Sequence, residues 1–180
     1  MALLNSSFVH AQTTLVEAAK ERLKHFVIYD GAYRSIPYPN GDVDKNRGVC
    51  SDVVIRSYRM LGKDLQQLVH KDMKAHFDAY PKNWGLKKPD SNIDHRRVPN
   101  LETFFKRHGK TLKTSNNAKD YQPGDIVSWR LDNNLPHIGI VSDEPSETNP
   151  NRYKIIHNIG LGPQLNDMLF DFKIVGHYRY

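Results

Sequence analysis

The single cysteine of this chain lies where the sequence predicts the start of a helix. After Cys50, the apolar residues Val54, Tyr58 and Leu61 recur at i, i+4 and i+7, which is one face of an α-helix. A thiol in a first helical turn meets unpaired amides and the positive end of the helix dipole, and both favour the thiolate. We therefore expect Cys50 to be a nucleophile. The alternative is a small buried apolar residue, because free cysteines are among the most buried residues.

A cysteine nucleophile needs a base that takes its proton, and histidine suits this because its ordinary pKa lies near neutrality. His137 opens a predicted strand directly after a turn. His157 lies on the next predicted strand and would stand beside His137 if the two strands form a hairpin. We assign His137 as the base and His157 as the group that orients it. Asn158 is the fallback for orientation, although strand alternation sends it to the opposite face. A hydrogen-bonded structural role is the alternative for each histidine alone.

Composition indicates a globular protein of one domain, because 180 residues carry 38% hydrophobic and 26% charged residues. The net charge of +6 is spread over many segments and fits attraction to an acidic polymer, such as a cell-wall polymer. We expect no nucleic-acid partner, because no motif places aromatic residues at reading positions. No stretch approaches the roughly 20 apolar residues that span a bilayer, so we expect no stable membrane insertion. A basic surface without a partner is the alternative.

The predicted elements place helices first and strands later. Residues 1–12 are interpreted as a signal-peptide remnant or an N-terminal arm, and residues 13–180 as one domain. The predicted helices cover residues 13–25, 50–62, 65–80 and 101–108, the last capped by Asn100. The predicted strands cover residues 126–131, 137–142, 153–158 and 172–178. This order favours an α+β fold, with N-terminal helices packed on a C-terminal antiparallel sheet.

Several segments resemble one known superfamily. Gln122-Pro-Gly-Asp-Ile-Val-Ser-Trp129, followed by His137-Ile-Gly-Ile-Val141, resembles the "PGD, strand, H-[VI]-G-[IV]" signature of NlpC-type cell-wall peptidases, which are compact papain-like bacterial enzymes. Ser35-Ile-Pro-Tyr38 resembles their "G-x-P-Y" segment, and Ile155-Ile-His157 their third catalytic position. Residues 48–56, 92–101 and 157–160 resemble a YijF-like branch of unknown function.

The resemblance implies a papain-like NlpC-type fold and a cysteine hydrolase that cleaves an amide bond of bacterial peptidoglycan through a thioester. Cys50 would be the nucleophile, His137 the general base and acid, and His157 the orienting group, with no cofactor. The Tyr38 hydroxyl would help the Cys50 amide to bind the oxyanion, supported by Ser51, although loop packing is the alternative for Tyr38. Peptidoglycan or its stem peptides would be the partner, which implies a periplasmic or secreted protein. We expect a monomer.

One position departs from the superfamily pattern. NlpC-type enzymes usually carry Asp-Cys-Ser, where the Asp holds a free amine of the stem peptide, but here Val49 precedes Cys50. The carboxylate of Asp52 points elsewhere on a helix and is not equivalent. The cleaved bond therefore stays open between a stem-peptide bond and the amide that joins peptide to glycan.

A charged loop is the second unusual feature, and we expect it to rim the cleft and bind substrate carboxylates, because arginine can form two parallel hydrogen bonds to a carboxylate. A salt-bridged structural loop is the alternative. The substrate-binding candidates are Asp52, Trp84, Asp94, His95, Arg96 and Arg97.

Two further functions compete with a hydrolase. One is a non-catalytic wall-binding module on the same fold, since fold does not fix function. The other is a metal site made of Cys50, His137 and His157. No H-E-x-x-H or paired C-x-x-C spacing occurs, so we predict no metal.

Overall fold

The computed structural model describes residues 13–180, so the predicted signal remnant or arm at residues 1–12 lies outside it. The α-helices of this part are α1 (Leu15–Arg22), α2 (Cys50–Met60), α3 (Leu65–Ala75) and α4 (Val98–His108). The strands are β1 (Ile28–Tyr29), β2 (Arg47–Gly48), β3 (Lys110–Thr111), β4 (Ile126–Arg130), β5 (Pro136–Pro145), β6 (Tyr153–Asn158), β7 (Pro163–Asn166) and β8 (Lys173–Arg179).

The sheet topology confirms the predicted α+β class. Strands β3 to β8 form one sheet in the order β3-β8-β4-β5-β6-β7, and every neighbouring pair is antiparallel. The two short strands β1 and β2 pair in parallel outside this sheet. No helix in residues 13–180 is long and apolar enough to span a membrane.

The sheet buries both of its faces. One face carries Ile126, Ile138 and Ile140, which share a core with residues of α2, α3 and α4. The alternate residues Val127 and Trp129 belong to a second core on the other face, where Met168 and Leu169 cover them. Because strand side chains alternate between faces, these two cores explain why almost all of β4 is buried.

The Gln122-Pro-Gly-Asp turn ties β4 to β8. Gly124 has φ +88°, a left-handed conformation that glycine adopts at low energy. The fully buried carboxylate of Asp125 then accepts hydrogen bonds from His177 Nε2 at 2.8 Å and Arg179 Nε at 2.6 Å. The motif therefore holds the start of one central strand against its neighbour.

The structure corrects several predicted element ends. Helix α1 is shorter than predicted because Thr14 caps it: the Thr14 hydroxyl accepts from the Glu17 amide, and Glu17 accepts from the Thr14 amide. Helix α4 begins at Val98, so the prediction that Asn100 caps it is wrong. Pro99 suits the first helical turn, and the Asn100 side chain instead donates to the carbonyl of Asp94 at 3.1 Å.

Helix α2 lies at the centre of the fold. All of its residues from Cys50 to Tyr58 are buried between the other helices and the sheet. Asp52 satisfies one orphan amide of its first turn by accepting from the Val49 N–H at 2.7 Å. The position of Cys50 is therefore set by a helix that is packed on all sides.

Candidate active site around Cys50

Cys50 is the first residue of α2, as the sequence predicts. Its side chain is 4% exposed, and its sulfur interacts with the backbone amide of Ile138, the residue that follows His137 on β5. The amides of Ser51 and of Cys50 itself also act on the sulfur. The fold thus brings the thiol of α2 to the strand that carries the predicted base.

The expectation that the helix start makes Cys50 a thiolate is wrong in this arrangement. Burial raises the pKa of Cys50 to about 12, and the negative charge of Asp52 acts in the same direction. The three amides lower the pKa, but by less than burial raises it. A desolvated anion is unfavourable even at a helix N-terminus, so Cys50 is a neutral thiol at neutral pH.

Two buried histidines and the exposed Asn166 form a hydrogen-bonded relay. Nε2 of His137 lies 3.0 Å from Nδ1 of His157, and Nε2 of His157 lies 2.9 Å from Oδ1 of Asn166. Because Oδ1 only accepts, the His157 Nε2 carries a proton and its Nδ1 accepts from His137 Nε2. This arrangement leaves Nδ1 as the basic nitrogen of His137, which is the role of a general base oriented by a second and a third group.

Gly139 makes the contact between the two histidines possible. A Cβ atom at Gly139 would lie 3.2 Å from the His157 Cβ, so the glycine faces His157 and His137 lies diagonal to it. The predicted hairpin is therefore confirmed, but its register puts the two imidazoles on a diagonal. The imidazoles meet edge to face, with centroids 5.1 Å apart.

Burial also controls the protonation of the relay. It lowers the pKa of His137 to about 3, and the neighbouring charge of His157 lowers it further. Burial likewise lowers the pKa of His157, although the hydrogen bond to Asn166 opposes this. Both shifts favour the neutral imidazoles, and the thiol makes no direct hydrogen bond to either of them within residues 13–180.

Tyr29 is a tyrosine that interacts electrostatically with the thiol, whereas the predicted Tyr38 packs elsewhere. The structure places Tyr38 against His70 of α3, with the rings 5.0 Å apart. Tyr29 pairs with Gly48 through the β1–β2 ladder, directly before Val49 and Cys50. Burial raises the pKa of Tyr29 to about 12, and the negative charge of Asp52, with that of Cys50 once its thiol ionises, acts in the same direction.

The sequence offered one indication of Tyr29, because it ends the apolar run from Phe26 before a polar loop. Asn166 had no such indication, since β7 is short and carries no alternating pattern.

Ser51 and Asp52 connect the first turn of α2 to Arg96. The buried Ser51 hydroxyl donates to the carbonyl of Arg96 at 2.8 Å. The Asp52 carboxylate accepts from Nε and Nη2 of Arg96, both at 2.9 Å, and both side chains are 3% exposed. Arg96 also donates to the carbonyls of Asp30 and Ala32. The expectation that Asp52 and Arg96 bind substrate is therefore wrong, because each charge is already paired under the surface.

The rest of the charged loop is also largely structural. Asp94 is 1% exposed and accepts from the Asp90 amide and from Nη1 of Arg97, while burial raises its pKa. Burial and the charge of Arg96 lower the pKa of His95 to about 4. The loop forms a salt-bridged support. Asp94 lies at the wall of the cleft beside Trp84 and Arg97 with its carboxylate already paired, and His95 is buried away from that cleft.

Trp84 and Arg97 are the accessible members of the predicted binding set. The Arg97 guanidinium lies over the Trp84 ring, 4.1 Å from its centroid, as a cation–π pair. Together they line a small cleft with Phe77, Lys82 and Asn100. This pair stays a candidate for binding a ligand.

No three His, Cys, Asp or Glu side chains of residues 13–180 are grouped in a way that could hold a metal ion. The arrangement around Cys50 therefore offers a thiol, a base relay and amide donors as its chemical groups.

The chain belongs to a family that is described as "Domain of unknown function (DUF1287)", because residues 16–180 match that family. It is 56% identical over 174 residues to the "Uncharacterized protein YijF" of Escherichia coli (strain K12). This match covers 96% of the chain and 84% of the relative.

The raised pKa of Cys50 predicts slow alkylation. Below that pKa the thiolate fraction rises about tenfold per pH unit, so iodoacetamide should modify Cys50 at least about tenfold more slowly than free cysteine at pH 7.5. The rate should increase steadily up to pH 10. Intact-protein mass spectrometry measures this rate, with urea-unfolded protein as the control. A fast alkylation rate that stays constant from pH 5 to 8 would show that Cys50 is already a thiolate in this range. That result would contradict the neutral thiol.

A side chain at Gly139 should disrupt the relay. The new Cβ in Gly139→Ala would lie 2.7 Å from Ile155 Cγ2 and 3.0 Å from the Ile156 carbonyl oxygen. We expect overpacking to destabilise the protein by about 1–3 kcal/mol in urea unfolding. Gly31→Ala is the matched control, since its Cβ would meet only Val49 Cγ1 at 3.6 Å. Equal stability of both variants would contradict the close approach at Gly139.

Removing one partner of the buried ion pair should be costly. Arg96→Met leaves the Asp52 charge buried without its partner, and we expect a loss of about 3–5 kcal/mol in the free energy of unfolding. Arg34→Met is the control, because Arg34 forms an exposed pair with Asp30 and should contribute less than about 1 kcal/mol. Similar losses in the two variants would show that the Asp52–Arg96 pair does not hold the site together.

Proposed function

We propose that this protein is a cysteine hydrolase with an NlpC-type papain-like fold, which cleaves an amide bond through a thioester acyl-enzyme. The observation that carries the proposal is the relay from His137 through His157 to Asn166, on a strand whose Ile138 amide contacts the thiol at the start of α2. A relay of this kind fixes the tautomer of a base, and a purely structural histidine does not need it.

The proposed reaction starts from the neutral thiol of Cys50 and the neutral imidazole of His137. Nδ1 of His137 takes the thiol proton as the Cys50 sulfur attacks the carbonyl carbon, and the imidazolium then gives this proton to the leaving amine. The thioester is hydrolysed when His137 takes a proton from water and the resulting hydroxide attacks the acyl carbon. The proton finally returns to the departing sulfur. Because the resting thiol has no hydrogen bond to the imidazole, substrate binding must draw the two groups together.

Negative charge develops on the substrate carbonyl oxygen during the attack, and preorganised hydrogen-bond donors must stabilise it. The backbone amide of Cys50 lies at the free N-terminal end of α2, where orphan amides are available. The hydroxyl of Tyr29 is the second donor in this proposal, and it replaces Tyr38. Its raised pKa keeps the hydroxyl protonated at neutral pH, so it can donate to an oxyanion.

The proposed substrate class is bacterial peptidoglycan, as either a stem-peptide endopeptidase or an amidase. The resemblance of the strand motifs to NlpC-type enzymes and the net charge of +6, which suits an acidic polymer, support this class. Val49 replaces the acid that would hold a free amine, so either bond stays a candidate. A periplasmic or secreted location belongs to the same proposal.

A non-catalytic wall-binding module is the second candidate. The observation in its favour is the burial of Cys50, which leaves the thiol protonated and enclosed. Such a module would retain wall material without breaking a covalent bond.

Digestion of purified peptidoglycan tests the hydrolase. Wild-type protein should release fragments that mass spectrometry identifies, whereas Cys50→Ala and His137→Ala should lower the release by more than about 1,000-fold. His76→Ala is the control for histidine replacement, because His76 lies directly after α3 and contacts Asp72. No fragments from wild type, with wall material still bound to Cys50→Ala in a pull-down, would contradict the hydrolase and support the binding module.

A further inference from the structure

Three buried nitrogen donors on one surface region have no hydrogen-bond partner among residues 13–180. They are Nε of Arg22, Nε of Arg59 and Nδ2 of Asn158. Two adjoining cavities connect them: an inner one that Arg22 and Asn158 line, and an outer one that Arg22 and Arg59 line. We call this region the basic basin, and its donor side chains are Arg22, His25, Lys45, Arg56, Arg59 and Asn158.

Asn158 is the most informative of these residues. Its side chain is fully buried, and its Oδ1 accepts from the Gly160 amide at 3.1 Å. Its Nδ2 lacks a partner, although buried polar groups in native proteins are almost always hydrogen-bonded. An amide nitrogen on the wall of a cavity is satisfied when a ligand that accepts hydrogen bonds enters.

Within the described residues, every charged group of the basic basin that is not paired with an opposite charge is positive. Its two carboxylates are already bound to arginines: Asp42 accepts from Arg56 and Arg59, and Asp52 accepts from Arg96. Arg22 has no carboxylate partner in the described part of the chain. Burial lowers its pKa, and so does the positive charge of Arg56, although Glu21 and Asp42 oppose this. The basin therefore presents donors and positive charge without a matching acceptor.

The inner cavity borders the residues next to those of the candidate active site. Gly48 and Val49, which immediately precede Cys50, line it together with Asn158, which immediately follows His157. Its volume is about 10 Å³, room for roughly one water-sized group, whereas the adjoining outer cavity has about 320 Å³. A group held there lies against the residue directly before Cys50 and against Asn158, whose side chain lies on the opposite face of β6 from His157.

We propose that the basic basin binds an oxyanion, either a carboxylate or a phosphate, of the same molecule that presents its amide to Cys50. The oxyanion is an acceptor-only group, which matches a set of free donors. The binding part of the proposal stands on the basin alone, and the link to Cys50 rests on the proposed function. NlpC-type enzymes hold their substrate partly through the Asp before the cysteine, and here Val49 stands at that position. The basin would supply a different contact for recognising the substrate.

Titration of the full-length chain with sodium acetate and with inorganic phosphate, monitored by NMR at constant ionic strength, tests the binding. The Nε–H signals of Arg22 and Arg59 and the Asn158 side-chain amide should shift in a saturable way. Arg22→Gln and Asn158→Leu should each weaken binding at least fivefold, whereas Arg34→Gln should not change it. Tighter acetate binding identifies a carboxylate as the ligand, and tighter phosphate binding identifies a phosphate.

Shifts that stay linear with both anions would overturn the proposal, as would equal affinity in all variants. Arg22→Gln serves as the second variant because Arg22 is only partly buried, so a folding defect in Asn158→Leu does not decide the result.

Kinetics on a released fragment tests the link to Cys50. Arg22→Gln should raise KM at least fivefold for a fragment with a free carboxylate or phosphate and leave kcat unchanged. The same variant should not change KM for the matching carboxamide or dephosphorylated fragment. Saturable anion binding without any turnover by wild type would overturn the hydrolase and retain the basin. Turnover without anion binding would overturn the basin and retain the hydrolase.

Discussion

The buried ion pair between Asp52 and Arg96 is the interaction on which the site depends. Both charged groups are 3% exposed, and their bidentate contact joins the first turn of α2 to the loop before α4. Arg96 extends the connection to the carbonyls of Asp30 and Ala32, while Ser51 donates back to the Arg96 carbonyl. Two buried charges are favourable only with good geometry and further hydrogen bonds, and this network supplies both. It fixes where Cys50 begins its helix.

The same burial determines the chemistry that the site can perform. It raises the pKa of Cys50 and lowers the pKa of His137, so the resting pair is neutral. Asp52 adds to this effect because its charge lies close to the sulfur. The pair that stabilises the helix start thus also disfavours a free thiolate. A proposed reaction at this site must generate the nucleophile during attack and not before it.

The sequence was sufficient to predict features that depend on local periodicity. The helical spacing after Cys50 and the strands around His137 and His157 were read correctly, and they gave the α+β class. Their apolar residues recur every 3.6 residues in helices and every 2 residues in strands, because one face of each element is buried. The position of Cys50 at the helix start follows from the same pattern.

Features that depend on distant partners were not predictable. Arg96 has its carboxylate partner 44 residues earlier, and nothing in the local charge pattern distinguishes a buried pair from an exposed rim. Asn166 lies on a short strand without alternation, and Tyr29 reaches the site only through a two-residue ladder.

The central claim is that Cys50 carries the acyl group of a cleaved amide in a relay with His137 and His157. Hydroxylamine competes with water for a thioester, so peptidoglycan digested in its presence reports directly on this intermediate. We predict hydroxamates on the new acyl ends, formed by wild type and absent with Cys50→Ala. Fragments whose acyl ends are carboxylates alone at every hydroxylamine concentration, or no fragments at all, would contradict the claim.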